Sequence, residues 1–178
     1  TKLLPMNMQK QIMNNYTRPH KVRNRIAAGS SFSLGIRPNG LVVGWGEGED
    51  EETEPPVGPF VSVAAGNIHG LGLRPNGSVV GWGDNTYGQS TNQPGPFVAI
   101  AASGFHSLGL KANGSVIEWG NVHRGEPKVP NEKGPFVAIA AGESHALGLR
   151  PNGSVIGWGG RNPRGETTTQ RGPFVAIA

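Results

Sequence analysis

Residues 60–83 read FVSVAAGNIHGLGLRPNGSVVGWG, and the same string returns with small changes at 97–120 and at 136–159. A diverged first copy opens at Arg25 as RIAAG, and a fifth opens at Phe174 as FVAIA. Asn-Gly recurs at Asn39, Asn76, Asn113 and Asn152 with spacings of 37, 37 and 39, and Trp45, Trp82, Trp119 and Trp158 keep the same steps. A fixed period of this size marks a tandem array of supersecondary units.

One unit reads as strands. FVSVAA is apolar and valine-rich, with alanines where space is tight, and suits a buried strand. From His69 to Arg74, His69, Leu71 and Leu73 share one face and Gly70 and Gly72 the other. Asn76-Gly77 between alternating segments predicts a tight hairpin of type I′, with both residues at positive φ. Ser78 to Gly83 returns with Val80 and Trp82 on one face. A polar loop then leaves room for a short fourth strand. A sheet of three or four strands cannot bury both faces alone, and recurring glycine signals close backbone approach. Radial stacking into a β-propeller solves that packing. A parallel β-helix has no reversing hairpin in each repeat. The fold class expected is all-β, a β-propeller with about four blades in this chain and the ring incomplete. The units run 22–59, 60–96, 97–135 and 136–173, with the start of a fifth at 174–178, behind an arm or linker at 1–21. The open edge of a terminal blade is an association hazard, so a cover for it is expected.

Composition agrees. The 178 residues include 29 glycines, more than twice the usual share of about 7%, and no cysteine. Disulfides, thiolate metal sites and cysteine nucleophiles are thereby excluded. No apolar run approaches the roughly 20 residues of a membrane-spanning helix, and the start at Thr1 shows no signal-peptide pattern. Compartment is left open. The net charge of +4 is unevenly placed: Lys2, Lys10, Arg18, Lys21, Arg23 and Arg25 are met by no acid in the first 25 residues. Six acids crowd Glu47 to Glu54. A basic arm of this kind is a solvated tail or a contact for nucleic acid or an acidic surface.

The pattern AAGxxHxLGLxxNGxVxGWG, present over residues 25–178, resembles the regulator of chromosome condensation repeat in its compact bacterial form. It is most similar to the propeller-type β-lactamase inhibitory members. The resemblance implies a propeller, typically of seven blades, which at about 37 residues per blade needs roughly 260 residues. It implies diverse functions: nucleotide exchange on a small GTPase, chromatin binding, light sensing and inhibition of other proteins. Fold alone does not choose among them. Nothing here resembles the catalytic wedge of the exchange factor, and the GWG tryptophans lack the basic context of the light sensor. In the inhibitory members, residues just before and at the histidine position contact the enzyme. The matching positions are Ser30, Ser31 and Phe32; Asn67, Ile68 and His69; Gly104, Phe105 and His106; Glu143, Ser144 and His145. Among these, only Phe32 and Phe105 are aromatic apart from the histidines.

The residues themselves offer little chemistry. His69, His106 and His145 recur at one repeat position, and three histidines converging on an axis would suit a metal. Phe32 stands at that position in the first copy, so a structural, inter-blade histidine is the reading adopted, and no metal or cofactor is assigned. The four tryptophans read as core. Glu118 replaces the first glycine of GWG and reads as solvent-facing at an edge, with a specific contact as the alternative. No phosphate loop, nucleophile elbow or catalytic set occurs, so no enzyme is expected. Function is sought in the non-repeated loops: Glu47–Glu54, Asp84–Gln89 with Tyr87, and those bearing Arg124, Arg161 and Arg164. Asn15 and three Asn-Gly-Ser strings match glycosylation acceptors, the latter better explained as turns.

The expectation is a non-catalytic module binding a protein through one propeller face. Its contacts would be Ser31, Phe32, Asn67, Ile68, His69, Tyr87, Phe105, His106, Glu143, Ser144 and His145. An enzyme inhibitor is the sharpest version. The alternatives are a structural subunit whose arm contacts a neighbour, and nucleic-acid or chromatin binding through the arm. A second copy or another polypeptide that completes the ring is a further expected partner.

Overall fold

In each repeat apolar residues alternate with glycines, and the strands pair so that large side chains face glycines across the ladder. The computed structural model describes residues 23–48, 51–121, 134–160 and 165–178. The arm at 1–21, Asn15 and the arginines at 124, 161 and 164 lie outside the described residues. Among the described residues, twelve strands form four three-stranded antiparallel sheets, each a simple meander. The first sheet holds β1 (Ile26–Ala28), β2 (Phe32–Ile36) and β3 (Val42–Gly46). The second holds β4 (Ser62–Ala65), β5 (His69–Leu73) and β6 (Val79–Gly83). The third holds β7 (Phe97–Ser103), β8 (His106–Lys111) and β9 (Val116–Gly120). The fourth holds β10 (Ala138–Ala141), β11 (His145–Leu149) and β12 (Val155–Gly159). This is a partial propeller, as the repeat predicted.

In the second sheet Gly70 lies opposite Trp82 and Gly72 opposite Val80. A Cβ on Gly70 would collide with the Trp82 indole, and one on Gly72 with the Phe60 ring. Gly109 under Phe97 and Gly148 under Phe136 repeat the arrangement. The glycines are thus the floor on which each sheet's aromatic pair rests. Phe60 and Trp82 have centroids 6.3 Å apart, Phe97 and Trp119 6.2 Å, and Phe136 and Trp158 5.6 Å.

Those aromatics pack against the sheet before their own. Trp82 buries itself with Phe32 and Leu34 of the first sheet. Phe97 and Trp119 meet Leu71 and Leu73 of the second, and Phe136 and Trp158 meet Leu108 and Leu110 of the third. Two indole N–H groups find partners the same way: Trp82 Nε1 donates to the Glu52 carbonyl at 2.8 Å and Trp158 Nε1 to Glu118 Oε2 at 3.2 Å, whereas Trp119 Nε1 is buried without one. Glu118 is therefore half-buried and occupied by an indole, so the solvent-facing reading is corrected in favour of the specific contact. Trp45 is also corrected: it is 54% exposed, because among the described residues no sheet precedes the first.

The hairpins differ from the expected type I′. Only glycine has positive φ at the tips, at +86° for both Gly40 and Gly77. Gly77 N donates to Arg74 O at 2.9 Å and Arg74 N to Ser78 O at 2.9 Å. This is a type I turn over Pro75-Asn76, closed by a left-handed glycine as a bulge. Proline at the first turn position presets φ near −65°, which type I′ forbids. Asn76 Oδ1 accepts from Ser78 N at 3.0 Å and Ser78 Oγ at 2.8 Å, which explains the Asn-Gly-Ser string.

Each tip also holds the next repeat. Gly40 O accepts from Phe60 N, Gly77 O from Phe97 N, Gly114 O from Phe136 N and Gly153 O from Phe174 N, all at 2.8–2.9 Å. The fourth strand is reduced to single bridges, Val79 to Gln93 and Val155 to Gln170. The first strands β1, β4, β7 and β10 adjoin in turn and line a cavity of about 310 Å³ walled chiefly by alanines. Among the described residues no helix is long and apolar enough to cross a membrane.

Candidate functional site: an aromatic pair on a stitched rim

The turns between the first and second strands stand at one end of the sheets, and the first three bond to each other from repeat to repeat. Ser30 Oγ donates to Asn67 O at 2.6 Å, and Asn67 N donates to Gly104 O at 3.0 Å. Gly104 in turn sits under the Glu143 carbonyl, with no room for a Cβ. The four turns thus form one continuous rim. The backbone leaving each of the first three sheets joins it: Glu47 N bonds Ser31 O, Asp84 N bonds Ile68 O and Asn121 N bonds Phe105 O.

On that rim Tyr87 and Phe105 meet. Their centroids are 5.6 Å apart with planes at 67°, an edge-to-face pair, and they are 53% and 36% exposed. Tyr87 comes from the loop after β6 and Phe105 from the β7–β8 turn of the next sheet. The loop is fixed from beneath by Gln89, which is fully buried. Gln89 Oε1 accepts from Tyr87 N at 2.9 Å, and Nε2 donates to Asp84 Oδ2 at 2.6 Å. Asp84 Oδ1 accepts from Thr86 N at 2.9 Å and Thr86 Oγ1 at 2.5 Å. Partial desolvation pushes the Asp84 carboxyl up, but hydrogen bonds from Thr86, Gln89 and Asn85 outweigh it and hold the pKa below the usual value.

Beneath the rim, His69 Nε2 and Ser107 Oγ are 2.9 Å apart, and Ser107 Oγ donates to Gln89 O at 2.8 Å. A hydroxyl has one proton, so Ser107 accepts from His69, which holds its proton on Nε2. His69 Nδ1 is buried without a partner. Burial first, then repulsion from His106, lowers the His69 pKa from 6.5 to about 4, with Asp84 opposing weakly. His69 is thus a neutral strut between the second sheet, the third sheet and the loop bearing Tyr87.

Three expected contacts are therefore revised. Phe32, His69 and His106 are buried under the rim and do not reach its surface. The repeat position held by Phe32, His69 and His106 points into the inter-sheet layer, where the Phe32 ring and the neutral His69 ring fit, while His145 at the same position is half-exposed. Ser31, Tyr87, Phe105 and Glu143 are exposed there, and Asn67, Ile68, Ser144 and His145 are half-exposed. The described residues hold no group of three metal-ligating side chains, and His69, His106 and His145 are not gathered into one. Gln89 organises the rim; sequence reasoning singled out its loop, Asp84–Gln89, as a place to seek function but gave the buried glutamine no role of its own.

Charge separates between the two ends. Among the described residues, rim segments 29–31, 47–48, 51–52, 66–68, 84–89, 104–105 and 142–144 contain acids but neither lysine nor arginine. The hairpins at the other end start with Arg37, Arg74, Lys111 and Arg150 and contain no acid. Arg74 and Lys111 lie over the Phe60 and Phe97 rings, at 5.7 and 5.9 Å from the centroids.

Comparison with known proteins agrees with the fold. The regulator of chromosome condensation (RCC1) repeat matches at residues 60–89 and 136–166. The protein is similar to the ectodomain of the Physcomitrella patens receptor kinase CR4, with 31% identity and a TM-score of 0.65, over 75% of this protein and 38% of that one. It is similar to the CRINKLY WD40 ectodomain of the Arabidopsis thaliana receptor kinase ACR4, with 24% identity and a TM-score of 0.67, over 75% and 49%. It is also similar to yeast RCC1 (Prp20), solved with Kap60 bound, with 22% identity and a TM-score of 0.62, over 75% and 43%. The sequence thus spans half or less of each of these solved proteins. No curated protein matches it in sequence.

Proposed function

We propose that this RCC1-like propeller segment is a non-catalytic protein-interaction module that binds a partner protein through the rim bearing Tyr87 and Phe105. The observation that supports the reading most directly is the exposed edge-to-face pair, held by a buried glutamine on a rim of hydrogen-bonded turns. Exposed aromatics on a pre-organised support are what interface hot spots use, because little side-chain entropy is lost on contact. Ser31, Asn67, Glu143, Ser144 and His145 would supply the surrounding polar contacts, and Ile68 an apolar one. Inhibition of an enzyme is the sharpest form of this reading. The units at 22–59, 60–96, 97–135 and 136–173 are proposed as its blades, and a further copy or another polypeptide as what completes the ring.

The test is affinity capture from the source extract in low and high salt, with Phe105→Ala and Tyr87→Ala beside the parent. A protein retained in high salt and lost with either variant supports the rim. Retention that ignores both variants overturns it.

A second reading has its own observation. The cationic hairpin starts lie at the end where Arg23 and Arg25 enter the first sheet, continuous in sequence with the basic arm. An arm that binds nucleic acid would do so from this end. Its affinity for duplex DNA would fall steeply with salt and with deletion of residues 1–21, and would not respond to Tyr87→Ala.

A further inference from the structure

The four Asn-Gly tips share a backbone geometry but not the same protection. Asn76, Asn113 and Asn152 each hold Oδ1 in two hydrogen bonds, from the backbone N–H and the hydroxyl of Ser78, Ser115 and Ser154 at 2.7–3.0 Å. In the first sheet residue 41 is leucine, and Asn39 Oδ1 accepts only from Leu41 N, at 3.1 Å. Gly77, Gly114 and Gly153 are buried, whereas Gly40 is only half-buried. A third difference is electrostatic. Gly40 N donates to Arg37 O at 2.9 Å, and the Arg25 guanidinium donates to the same oxygen at 3.1 Å. That cation competes for the acceptor and favours loss of the proton from the nearby Gly40 nitrogen.

We propose that Asn39 is a modification site: it deamidates spontaneously through a succinimide ahead of the other three tips. The Gly40 nitrogen gives its proton to solvent base and attacks Asn39 Cγ. A new N–Cγ bond forms, the Cγ–Nδ2 bond of the carboxamide breaks, and ammonia leaves with a proton from water. Water then opens the ring at either carbonyl, giving aspartate or isoaspartate. Glycine leaves the attacking nitrogen unshielded, and at Asn39 nothing but one hydrogen bond holds the carboxamide away from it. Isoaspartate lengthens the backbone beside Gly40, whose carbonyl accepts from Phe60 N, so the product loosens the junction between the first and second sheets.

The experiment is incubation of the 178-residue protein at mildly alkaline pH, with peptide mapping by mass spectrometry and enzymatic isoaspartate detection at all four tips. Asn39 is expected to convert roughly fivefold faster than the others, the rate equivalent of one modest hydrogen bond. Leu41→Ser should slow Asn39 toward the common rate, and Ser78→Ala should raise Asn76. In denaturant the four rates should converge. Equal rates in the folded protein, or a lead for Asn39 that persists in denaturant, overturns the proposal.

Discussion

His69 of the second sheet donates from Nε2 to Ser107 Oγ of the third at 2.9 Å, and that hydroxyl passes its own proton to the Gln89 carbonyl at 2.8 Å. A protonated His69 would put its Nδ1 proton into a buried place with no acceptor. The strut therefore works only when the ring is neutral.

Stability should follow that requirement. The folded pKa of about 4 lies below the unfolded 6.5, so the unfolded state binds the extra proton first. The contribution is full above pH 6.5 and is lost as pH falls toward 4. The loss amounts to as much as about 3 kcal/mol by linkage. Urea unfolding of the parent at pH 7 and pH 4.5 should show it. His69→Phe, which copies the first repeat's Phe32, should remove most of the slope.

Tryptophans that read identically in sequence should differ in consequence. Trp82→Ala empties a layer shared with Phe32 and Leu34 and leaves the Glu52 carbonyl without the indole donor; a cost of about 3–5 kcal/mol is expected. Trp45→Ala removes a ring more than half in solvent and should cost less than about 1 kcal/mol. Parallel urea titrations compare them directly.

The repeat period, the meander and the glycine floor were legible because each is a local pattern written four times. The rim was not. Tyr87 and Phe105 belong to different repeats, and only the stacking of the second sheet on the third brings them together. The inter-blade reading of the histidine position holds for His69, which bridges to Ser107 of the next sheet, and that same burial removes His69 and His106 from the expected contact surface. Asn-Gly pointed correctly to hairpins, but only the glycine is left-handed, and the type I turn before it forms alike over Pro75-Asn76 and Ala112-Asn113.

Gly77→Ala should be costly for two separate reasons. The residue sits at φ +86°, and an added Cβ would lie 3.0 Å from Pro96 Cα. Left-handed strain alone is about 1–2 kcal/mol, and the contact adds to it. Chemical denaturation should show a loss above about 2 kcal/mol, whereas Asn76→Asp at the exposed neighbouring position should cost less.

The aromatic pair should be energetically coupled before any partner is added. A double-mutant cycle over Tyr87→Ala and Phe105→Ala, read by thermal or urea unfolding, should return about 0.5–1.5 kcal/mol of interaction. A coupling near zero would mean that the rings are neighbours without mutual support.

The bond from each hairpin's glycine carbonyl to the next repeat's phenylalanine N–H makes each of these junctions the same junction. Gene duplication of one unit would therefore insert a blade without asking for a new interface on either side of it. Such a molecule can lengthen its rim by whole steps while the interior stays unchanged, and selection is left free to act on the loop residues that differ from step to step.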